Sequence, residues 1–191
     1  ITLDNGHQIE TPLVIAADGK KSLLRSWVDI KARELPYHQT ALVFVASHEK
    51  PHMGQAFEHF RSSGPLAFLP MKGNRSSVVW SLETKLSDAM KALEPQIFEE
   101  ELNIAFGKTL GTIKLDGPLC FYPLSAMIMP RYGDERLIFI GDAAHTIHPV
   151  AGQGFNVGVR DAGCLAKHLK EARDLGLDWG SLTTLQTYER D

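Results

Sequence analysis

Short apolar runs alternate with turn residues in the first part of the chain and predict a hairpin, a buried strand and a helical turn. Residues 1–16 are predicted to form a hairpin around Asn5-Gly6, because both residues tolerate positive φ. The apolar run 13–17 that follows is typical of a short strand. Residues 22–27 are then predicted to form a helical turn with Ser22 as its cap.

Residues 37–82 change character and predict a sheet. Turns containing glycine or proline separate four strand-like runs, at 41–46, 55–60, 66–69 and 77–82. Strands that follow one another without intervening helices favour an antiparallel sheet. Phe57 and Phe60 differ in strand parity, so a regular strand would place them on opposite faces. The aromatic residues of this stretch suit either a pocket for an apolar ligand or, more commonly, a hydrophobic core: Phe44, Phe57, Phe60, Phe68 and Trp80.

The spacing of apolar residues predicts helices further along. Residues 87–106 read as helical with a break at Pro95, which suits the first turn of a new helix. One face of that helix carries Phe98, Leu102, Ala105 and Phe106, with Gly107 as its C-terminal cap. Residues 112–129 and 137–140 return to strand-like sequence, and residues 154–173 are predicted to form one helix.

Composition and charge narrow the class of protein. The chain has 191 residues, of which 43% are hydrophobic and 23% charged, as in an ordinary soluble globular protein. Its net charge of −3 provides no basic field for nucleic acid, so no such partner is predicted. Cys120 and Cys164 lack the spacing of metal ligands and suit reduced thiols in a cytosol-like compartment. No apolar run approaches the roughly 20 residues of a membrane-spanning helix.

The stretch from Arg136 to Gly158 carries the clearest chemistry. Its strand ends at Gly141-Asp142, and after Pro149 the chain enters a helix through Gly152-Gln153-Gly154-Phe155-Asn156. A helix start with bare backbone N–H groups suits a sugar diphosphate, and glycines allow an anion to approach closely. The Asp142 carboxylate is suited to accept hydrogen bonds from ribityl or ribose hydroxyls; the alternative is a turn residue that caps a helix.

This stretch has three other interpretations. Gly152, Gly154 and Gly158 have the spacing of a nucleotide-binding fingerprint, but residues 141–151 separate the strand from the first of these glycines. A plain glycine-rich turn is the other alternative. Asp142, His145 and His148 also form an Asp-x-x-His-x-x-His pattern whose side chains can bind zinc or iron. The histidines are more commonly loop residues that hydrogen-bond to the backbone.

These motifs resemble those of a known family. Residues 141–156 closely resemble the second flavin motif of the FAD-dependent aromatic hydroxylases, a family of flavoprotein monooxygenases. Residues 17–25 look like the Asp-Gly motif of the same family, with its following Ser-x-x-Arg. Residues 57–70 and 74–81 are similar to the ubiquinone-biosynthesis hydroxylases of that family, with the 2-polyprenyl-6-methoxyphenol hydroxylases as the most similar group. The resemblance covers nearly the whole chain.

The resemblance implies an α/β (mixed α+β) architecture. We expect parts of a Rossmann-like FAD-binding domain at residues 1–36 and 119–191, with an inserted antiparallel-sheet substrate domain at 37–118. The family opens with a βαβ unit carrying Gly-x-Gly-x-x-Gly, which this chain does not contain. We therefore expect the chain to be a truncated fragment of a longer enzyme that is inactive and binds FAD poorly by itself.

The resemblance also assigns roles to residues. Asp18 and Gly19 are predicted to lie near the FAD diphosphate, with Arg25 near a phosphate of FAD or of the nicotinamide cofactor. The residues predicted to contact the rest of FAD are Gly141, Asp142, Pro149, Gly152, Gln153, Gly154, Phe155 and Asn156. Pro149 is the candidate catalytic residue, because its carbonyl faces the flavin and the substrate in the family. Ordinary turn and helix-start roles are the alternatives for Asp18, Arg25 and Pro149.

The reaction that the resemblance implies begins with reduction of FAD by NADPH or NADH. O₂ then adds at flavin C4a, and the hydroperoxide hydroxylates a polyprenylated phenol in ubiquinone biosynthesis. An FAD-dependent prenyl reductase, a metal-dependent hydrolase that uses Asp142, His145 and His148, and a non-catalytic partner module stay open as alternatives. We expect a cytoplasmic protein, with peripheral attachment to the inner face of the membrane or to a biosynthetic complex left open.

Overall fold

The computed structural model describes residues 1–28 and 30–191. Strands β1 to β10 are Val14–Ala16, Arg33–His48, Phe57–His59, Leu66–Met71, Arg75–Glu83, Ile113–Leu115, Cys120–Ile128, Gly133–Asp134, Leu137–Phe139 and His145–Thr146. Helices α1 to α4 are Thr84–Lys91, Pro95–Phe106, Gln153–Asp174 and Leu182–Glu189. Short 3₁₀ turns occupy Leu24–Trp27, Gly141–Ala143 and Val150–Gly152.

The chain forms two units. Ile1–Leu35 together with Ala126–Asp191 make the motif unit, and Pro36–Ser125 make the sheet unit. The second boundary therefore follows Ser125 rather than the predicted position 118, because the first part of β7 is a strand of the large sheet. The roles predicted for these units, FAD binding and substrate binding, stay predictions at this stage.

The motif unit contains a small sheet in the order β1-β9-β8. β1 and β9 are parallel, with Val14 opposite Leu137 and Ala16 opposite Phe139, and β8 is antiparallel to β9. Side chains alternate along β9, so Leu137 and Phe139 join one buried cluster while Ile138 joins another. Leu165 of α3 and Leu185 and Tyr188 of α4 complete the cluster around Ile138.

The remaining elements of the motif unit agree with most of the predictions. The predicted turn at Gly6 is present with φ +81°, although the hairpin contains one bridge pair, Thr2 with Gln8. Ser22 Oγ accepts a hydrogen bond of 3.0 Å from Arg25 N, as the predicted cap requires, but the 3₁₀ turn begins at Leu24 and its N-cap position is Leu23. The helix predicted at 154–173 is confirmed as α3. No described helix, including the 22 residues of α3, is long and apolar enough to cross a membrane.

The sheet unit confirms the predicted antiparallel sheet. Its strands follow the order β7-β2-β5-β4-β3, with β6 pairing with β2 away from this path. β2 and β5 pair antiparallel over a long register in which Leu42 lies opposite Trp80 and Phe44 opposite Val78. These four side chains are buried, as expected when every second residue of a strand points to the core.

Helix α2 covers the core of the sheet unit. Pro95 is at its start and Gly107, with φ +86°, follows its end, as predicted. Its predicted buried face packs on the sheet, where the ring centroids of Phe44 and Phe98 are 5.4 Å apart and those of Phe68 and Phe106 are 4.1 Å apart. The two rings that follow Pro95 by three and eleven residues therefore anchor the helix to the core.

The aromatic residues of the sheet unit are mainly core residues. Phe44, Phe68 and Trp80 are buried in its single large cluster, and Phe57 packs against that cluster. Phe60 lies beyond the end of β3 and is 77% exposed, so neither a core role nor its predicted place in a strand is correct. The strand ends early because β3 pairs with β4 over three residues only.

Candidate cofactor site

The parallel pairing of β1 with β9 brings the two sequence motifs to the same edge of the small sheet. Asp18 follows the end of β1 and Gly141 follows the end of β9. The carboxyl ends of neighbouring parallel strands lie at the same edge, where open α/β sheets bind ligands. Arg25 links the motifs directly: its Nη1 donates a hydrogen bond of 3.0 Å to the Ala143 carbonyl, although the two residues are 118 positions apart.

Asp18 has a local structural role. Its Oδ2 accepts hydrogen bonds from the backbone N–H groups of Leu23 at 2.9 Å and Leu24 at 3.3 Å. Burial opposes ionisation of this carboxyl, but hydrogen bonds from Ser22 and from these amides outweigh it and hold its pKa below the usual value. The alternative interpretation as a helix-start residue is thus observed. Contact of Asp18 and Gly19 with the FAD diphosphate stays a prediction.

The turn after β9 presents Asp142 outward. Gly141 adopts φ +58°, a left-handed conformation that glycine accommodates without a Cβ clash, and begins a 3₁₀ turn. Ala143 and Ala144 are completely buried in the cluster that contains Phe139, whereas Asp142 is exposed. The turn is therefore anchored by two small apolar residues and leaves the carboxylate available to accept hydrogen bonds from a ligand.

The glycine-rich segment forms the start of α3, as predicted. Gly152 has φ 61° and ψ 27°, and α3 runs from Gln153 without a side-chain cap among the described residues. The first N–H groups of a helix have no intrahelical partner and carry a partial positive charge. Phe155 is 80% exposed, and Asn156 Nδ2 donates to Gln153 Oε1 at 3.3 Å. This helix end is suited to hold negative charge.

Pro149 begins the 3₁₀ turn that leads into α3. Its carbonyl accepts a hydrogen bond of 3.0 Å from Gly152 N. The rigid-turn role is therefore observed. A carbonyl oxygen has two lone pairs, so this bond leaves capacity for one more donor. The predicted catalytic contact through this carbonyl stays a prediction.

Sequence reasoning missed Asp161 of α3. Its Oδ2 accepts a hydrogen bond of 2.7 Å from Gly141 N and lies 2.8 Å from His145 Nε2, while its side chain is only 14% exposed. Asp161 precedes the buried Leu165 by one helical turn, so it occupies a core-facing position of an amphipathic helix. A carboxylate at such a position is the signal that would have identified it.

Asp161 also influences the two tyrosines near it. Burial raises the pKa of the Tyr132 phenol, and the negative charge of Asp161 raises it further. The pKa of Tyr188 is raised for the same two reasons in the same order. Together with His145, these residues line part of a cavity of about 420 Å³ on the α3 and α4 side of the unit. The tyrosines therefore stay neutral beside this carboxylate at physiological pH.

The two histidines of the main motif have different partners. His148 Nδ1 accepts a hydrogen bond of 3.1 Å from Val150 N, which confirms the predicted backbone role for this residue. The same prediction is wrong for His145, which faces the Asp161 carboxylate because α3 packs beneath the turn. Burial lowers the pKa of His148, so this imidazole is neutral at pH 7.

The metal-binding pattern does not assemble as a cluster. Asp142, His145 and His148 do not bring three ligand atoms together in the described part of the chain. The group that does so there consists of Cys164, His168 and Asp191, whose ligand atoms lie within 4.8 Å of one another. In that group His168 Nε2 is already 2.9 Å from Asp191 Oδ2, so an ion pair or hydrogen bond at the end of α4 accounts for the contact.

Comparison with known proteins identifies the family. The sequence profile described as "FAD binding domain" matches residues 2–191. The chain belongs to this family of FAD-binding domains. It is 46% identical over 188 residues to the ubiquinone hydroxylase UbiL of Rhodospirillum rubrum, covering 98% of the chain and 44% of that protein. It is 32% identical over 191 residues to the 3-demethoxyubiquinol 3-hydroxylase of Escherichia coli, covering 99% of the chain and 48% of that protein.

Solved structures support the fold. The chain superposes on Pseudomonas aeruginosa PqsL in complex with 2-aminobenzoylacetate with a TM-score of 0.77 and 23% identity, covering 99% of the chain and 53% of PqsL. At this identity the likeness concerns the fold alone. The chain spans less than half the length of the two curated relatives above. Both the family and the mixed α/β fold predicted from the sequence are confirmed.

The residues of the motif unit fit a flavin dinucleotide. Three features lie in the segment 141–153 that follows β9: an exposed carboxylate, left-handed glycines at positions 141 and 152, and the start of a long helix without a side-chain cap among the described residues. The first suits sugar hydroxyls, and the other two suit close approach of an anionic or electron-rich group. This combination of donors and acceptors agrees with the family assignment.

Proposed function

We propose that the protein containing this chain is an FAD-dependent monooxygenase that hydroxylates a polyprenylated phenol in ubiquinone biosynthesis. The observation that carries the proposal is the common carboxyl edge of β1 and β9, which presents both flavin motifs in a chain 46% identical to a ubiquinone hydroxylase. The resemblance of residues 57–70 to the 2-polyprenyl-6-methoxyphenol hydroxylases supports a prenylated phenol as substrate.

In this proposal, bound FAD supplies the electron transfer and the activation of O₂, with NADPH or NADH as the reductant. The Asp142 carboxylate accepts hydrogen bonds from ribityl or ribose hydroxyls. The N–H groups at the start of α3, from Gln153 onward, stabilise negative charge at the pyrimidine edge of the flavin. The free lone pair of the Pro149 carbonyl orients the phenol hydroxyl.

The Asp-Gly motif has the diphosphate as its proposed partner. Gly19, with φ +84°, allows a close approach of the backbone to the phosphates. Arg25 already donates to the carbonyls of Ala143 and Lys20. A guanidinium has five N–H donors, so these bonds leave others for a phosphate of FAD or of the nicotinamide cofactor.

The proposal extends to the sheet unit and to location. We assign the substrate-binding role to the sheet unit, Pro36–Ser125, because it belongs to the region in which the chain resembles the ubiquinone-biosynthesis hydroxylases. A cytoplasmic protein attached peripherally to the inner face of the membrane, or to a biosynthetic complex, would have direct access to a prenylated substrate. Flotation of the full-length protein with phospholipid vesicles tests the membrane part of this proposal.

Product analysis with ¹⁸O₂ tests the reaction. The full-length protein, supplied with FAD, NAD(P)H and a polyprenylated phenol, should add one labelled oxygen atom to the ring. An unlabelled, reduced prenyl chain would instead identify a prenyl reductase. A full-length protein that takes up no FAD would contradict the proposal altogether.

The variant Asp142→Ala tests the proposed flavin contact. Loss of a hydrogen bond to a charged acceptor should weaken FAD binding by about 10- to 100-fold, while the exposed position of Asp142 leaves thermal stability nearly unchanged. Asp4→Ala in the exposed N-terminal hairpin is the control and should bind FAD as the wild type does. Equal affinity of the Asp142→Ala variant and the wild type would remove Asp142 from the site.

A further inference from the structure

One carboxylate oxygen of Asp161 joins two parts of the turn that carries Asp142. It accepts the Gly141 N–H at 2.7 Å, immediately before Asp142 in the sequence. It also lies 2.8 Å from His145 Nε2, three residues after Asp142. A carboxylate oxygen has two lone pairs, so Oδ2 can accept both hydrogen bonds at once. The turn is therefore fixed on both sides of Asp142 by a single group of α3.

The position of Asp161 makes this connection rigid. Its side chain is 14% exposed, on the core-facing side of α3. The Cα atoms of Gly141 and Gly158 are also close: a Cβ placed on Gly158 would lie 3.6 Å from the Gly141 Cα. The backbone of the turn thus rests on α3 one turn before Asp161.

On these contacts we propose that Asp161 is a positioning residue for the flavin site. It holds residues 141–145 in the conformation that directs the Asp142 carboxylate outward, and it does so without touching the cofactor. This inference rests on the proposed function, because it assumes that Asp142 contacts FAD. Without the carboxylate the turn samples other conformations, and apparent FAD affinity falls in proportion to the binding-competent fraction.

FAD titration of full-length Asp161 variants tests the inference. Asp161→Ala should weaken FAD binding about tenfold, since it leaves the Gly141 N–H without an acceptor. Asp161→Asn should recover binding to within about threefold of the wild type, because its amide oxygen can take the place of Oδ2 and still accept hydrogen bonds from Gly141 N and His145 Nε2. Asp174→Ala, at an exposed position of the same helix, should match the wild type.

The visible circular dichroism of bound flavin separates positioning from a general loss of stability. Asp161→Ala should change this spectrum and Asp161→Asn should restore it, whereas a purely structural role would lower the unfolding temperature and leave the spectrum unchanged. If Asp161→Ala does not fold, His145→Phe keeps the ring and removes the Nε2 contact, and should weaken binding about threefold.

The outcomes distinguish this inference from the proposed function. Wild-type protein that fails to bind FAD would overturn the proposed function. Wild-type protein that binds FAD, with an Asp161→Ala variant of the same affinity and spectrum, would overturn the positioning role alone. An Asp161→Asn variant that binds FAD as weakly as Asp161→Ala would also overturn the positioning role. The hydrogen bonds of Asp161 would then not be the cause of the weaker binding.

Discussion

The sheet unit and the motif unit are held together in different ways. In the sheet unit, β3, β4 and β5 pair with their neighbours in sequence, and one large cluster of apolar side chains fills the core. In the motif unit, β1 pairs with β9 across a separation of more than a hundred residues, and the buried side chains form two smaller clusters. The two units therefore differ in the size of their apolar clusters, while both contain hydrogen bonds from side chains to distant backbone groups, such as those between Asn103 and Ile113 in the sheet unit.

Arg25, Asp161 and Glu189 are three such side chains in the motif unit. Arg25 donates to Ala143 O, Asp161 accepts from Gly141 N, and Glu189 accepts from the N–H groups of Tyr132 at 2.5 Å and Gly133 at 2.7 Å. Each joins the backbone of a loop or short strand to another element. Apolar packing has no directional preference, so these hydrogen bonds orient backbone segments that the small clusters only bury. The comparison therefore predicts that core truncation harms the sheet unit most and that loss of single polar groups harms the motif unit.

The largest effect on stability is expected from Phe68→Ala in the sheet unit. Phe68 is completely buried and its ring lies 4.1 Å from that of Phe106, so the variant should lose about 3–5 kcal/mol of unfolding free energy. Phe60→Ala, at a ring that is 77% exposed, is the matched control and should change stability by less than about 0.5 kcal/mol. Urea unfolding measures the unfolding free energy of both variants. Similar losses for the two variants would contradict the assignment of the core.

The next largest effect is expected from Gly180→Ala in the motif unit. A Cβ there would lie 2.1 Å from the Pro12 carbonyl oxygen, so the chain must move, at a cost of about 1–3 kcal/mol. In Gly176→Ala the new Cβ meets no atom within 4 Å, and only the left-handed backbone, with φ +68°, opposes it. Thermal unfolding should therefore show a lower midpoint for Gly180→Ala. The reverse order would mean that Pro12 does not pack against this loop.

A smaller effect is expected from Arg25→Lys. Lysine keeps the charge but cannot form the two directed bonds to Ala143 O and Lys20 O, so the motif unit should lose about 1–2 kcal/mol. FAD affinity should fall in parallel because the Gly141–Ala143 turn loosens. Arg173→Lys, at a side chain that is 70% exposed, should leave both quantities unchanged. Normal FAD affinity with Arg25→Lys would show that Arg25 does not help to shape the site.

The smallest effect concerns pH. Burial lowers the pKa of His148 in the folded chain. In the unfolded chain a histidine titrates at about 6.5, so the unfolded chain binds a proton more readily than the folded one. The stability contributed by neutral His148 is therefore lost as the pH falls from 6.5 toward the folded-state pKa. His148→Asn can keep an acceptor for Val150 N and should flatten the stability profile between pH 7.5 and 5.

The control for this prediction is His7→Asn. His7 is exposed in the N-terminal hairpin, so this variant should keep the wild-type slope in the same series of unfolding measurements. A His148→Asn profile as steep as that of the wild type would show that another group causes the acid sensitivity. Because the expected effect is small, the two variants should be compared in parallel at each pH.

The sequence by itself determined the large sheet, the helices α2 and α3, and the family, but it did not predict β8 or β10. Periodic apolar positions identified α2 and its buried face, from Phe98 to Phe106, and strand-like runs without intervening helices identified the antiparallel sheet. These features are local, so a window of ten to twenty residues contains the information that specifies them. The motifs at 17–25 and 141–156 identified the flavin family for the same reason, since each is contiguous.

Only the tertiary structure decided which residues meet. The parallel register of β1 and β9, the Arg25 bond to Ala143 and the Asp161 contacts with Gly141 and His145 all join segments far apart in the chain. The exposure of Phe60 likewise depends on where β3 stops pairing with β4. The order of residues along the chain does not show such pairings. Their free energy arises from burial and directed hydrogen bonds, which exist only once the chain has folded.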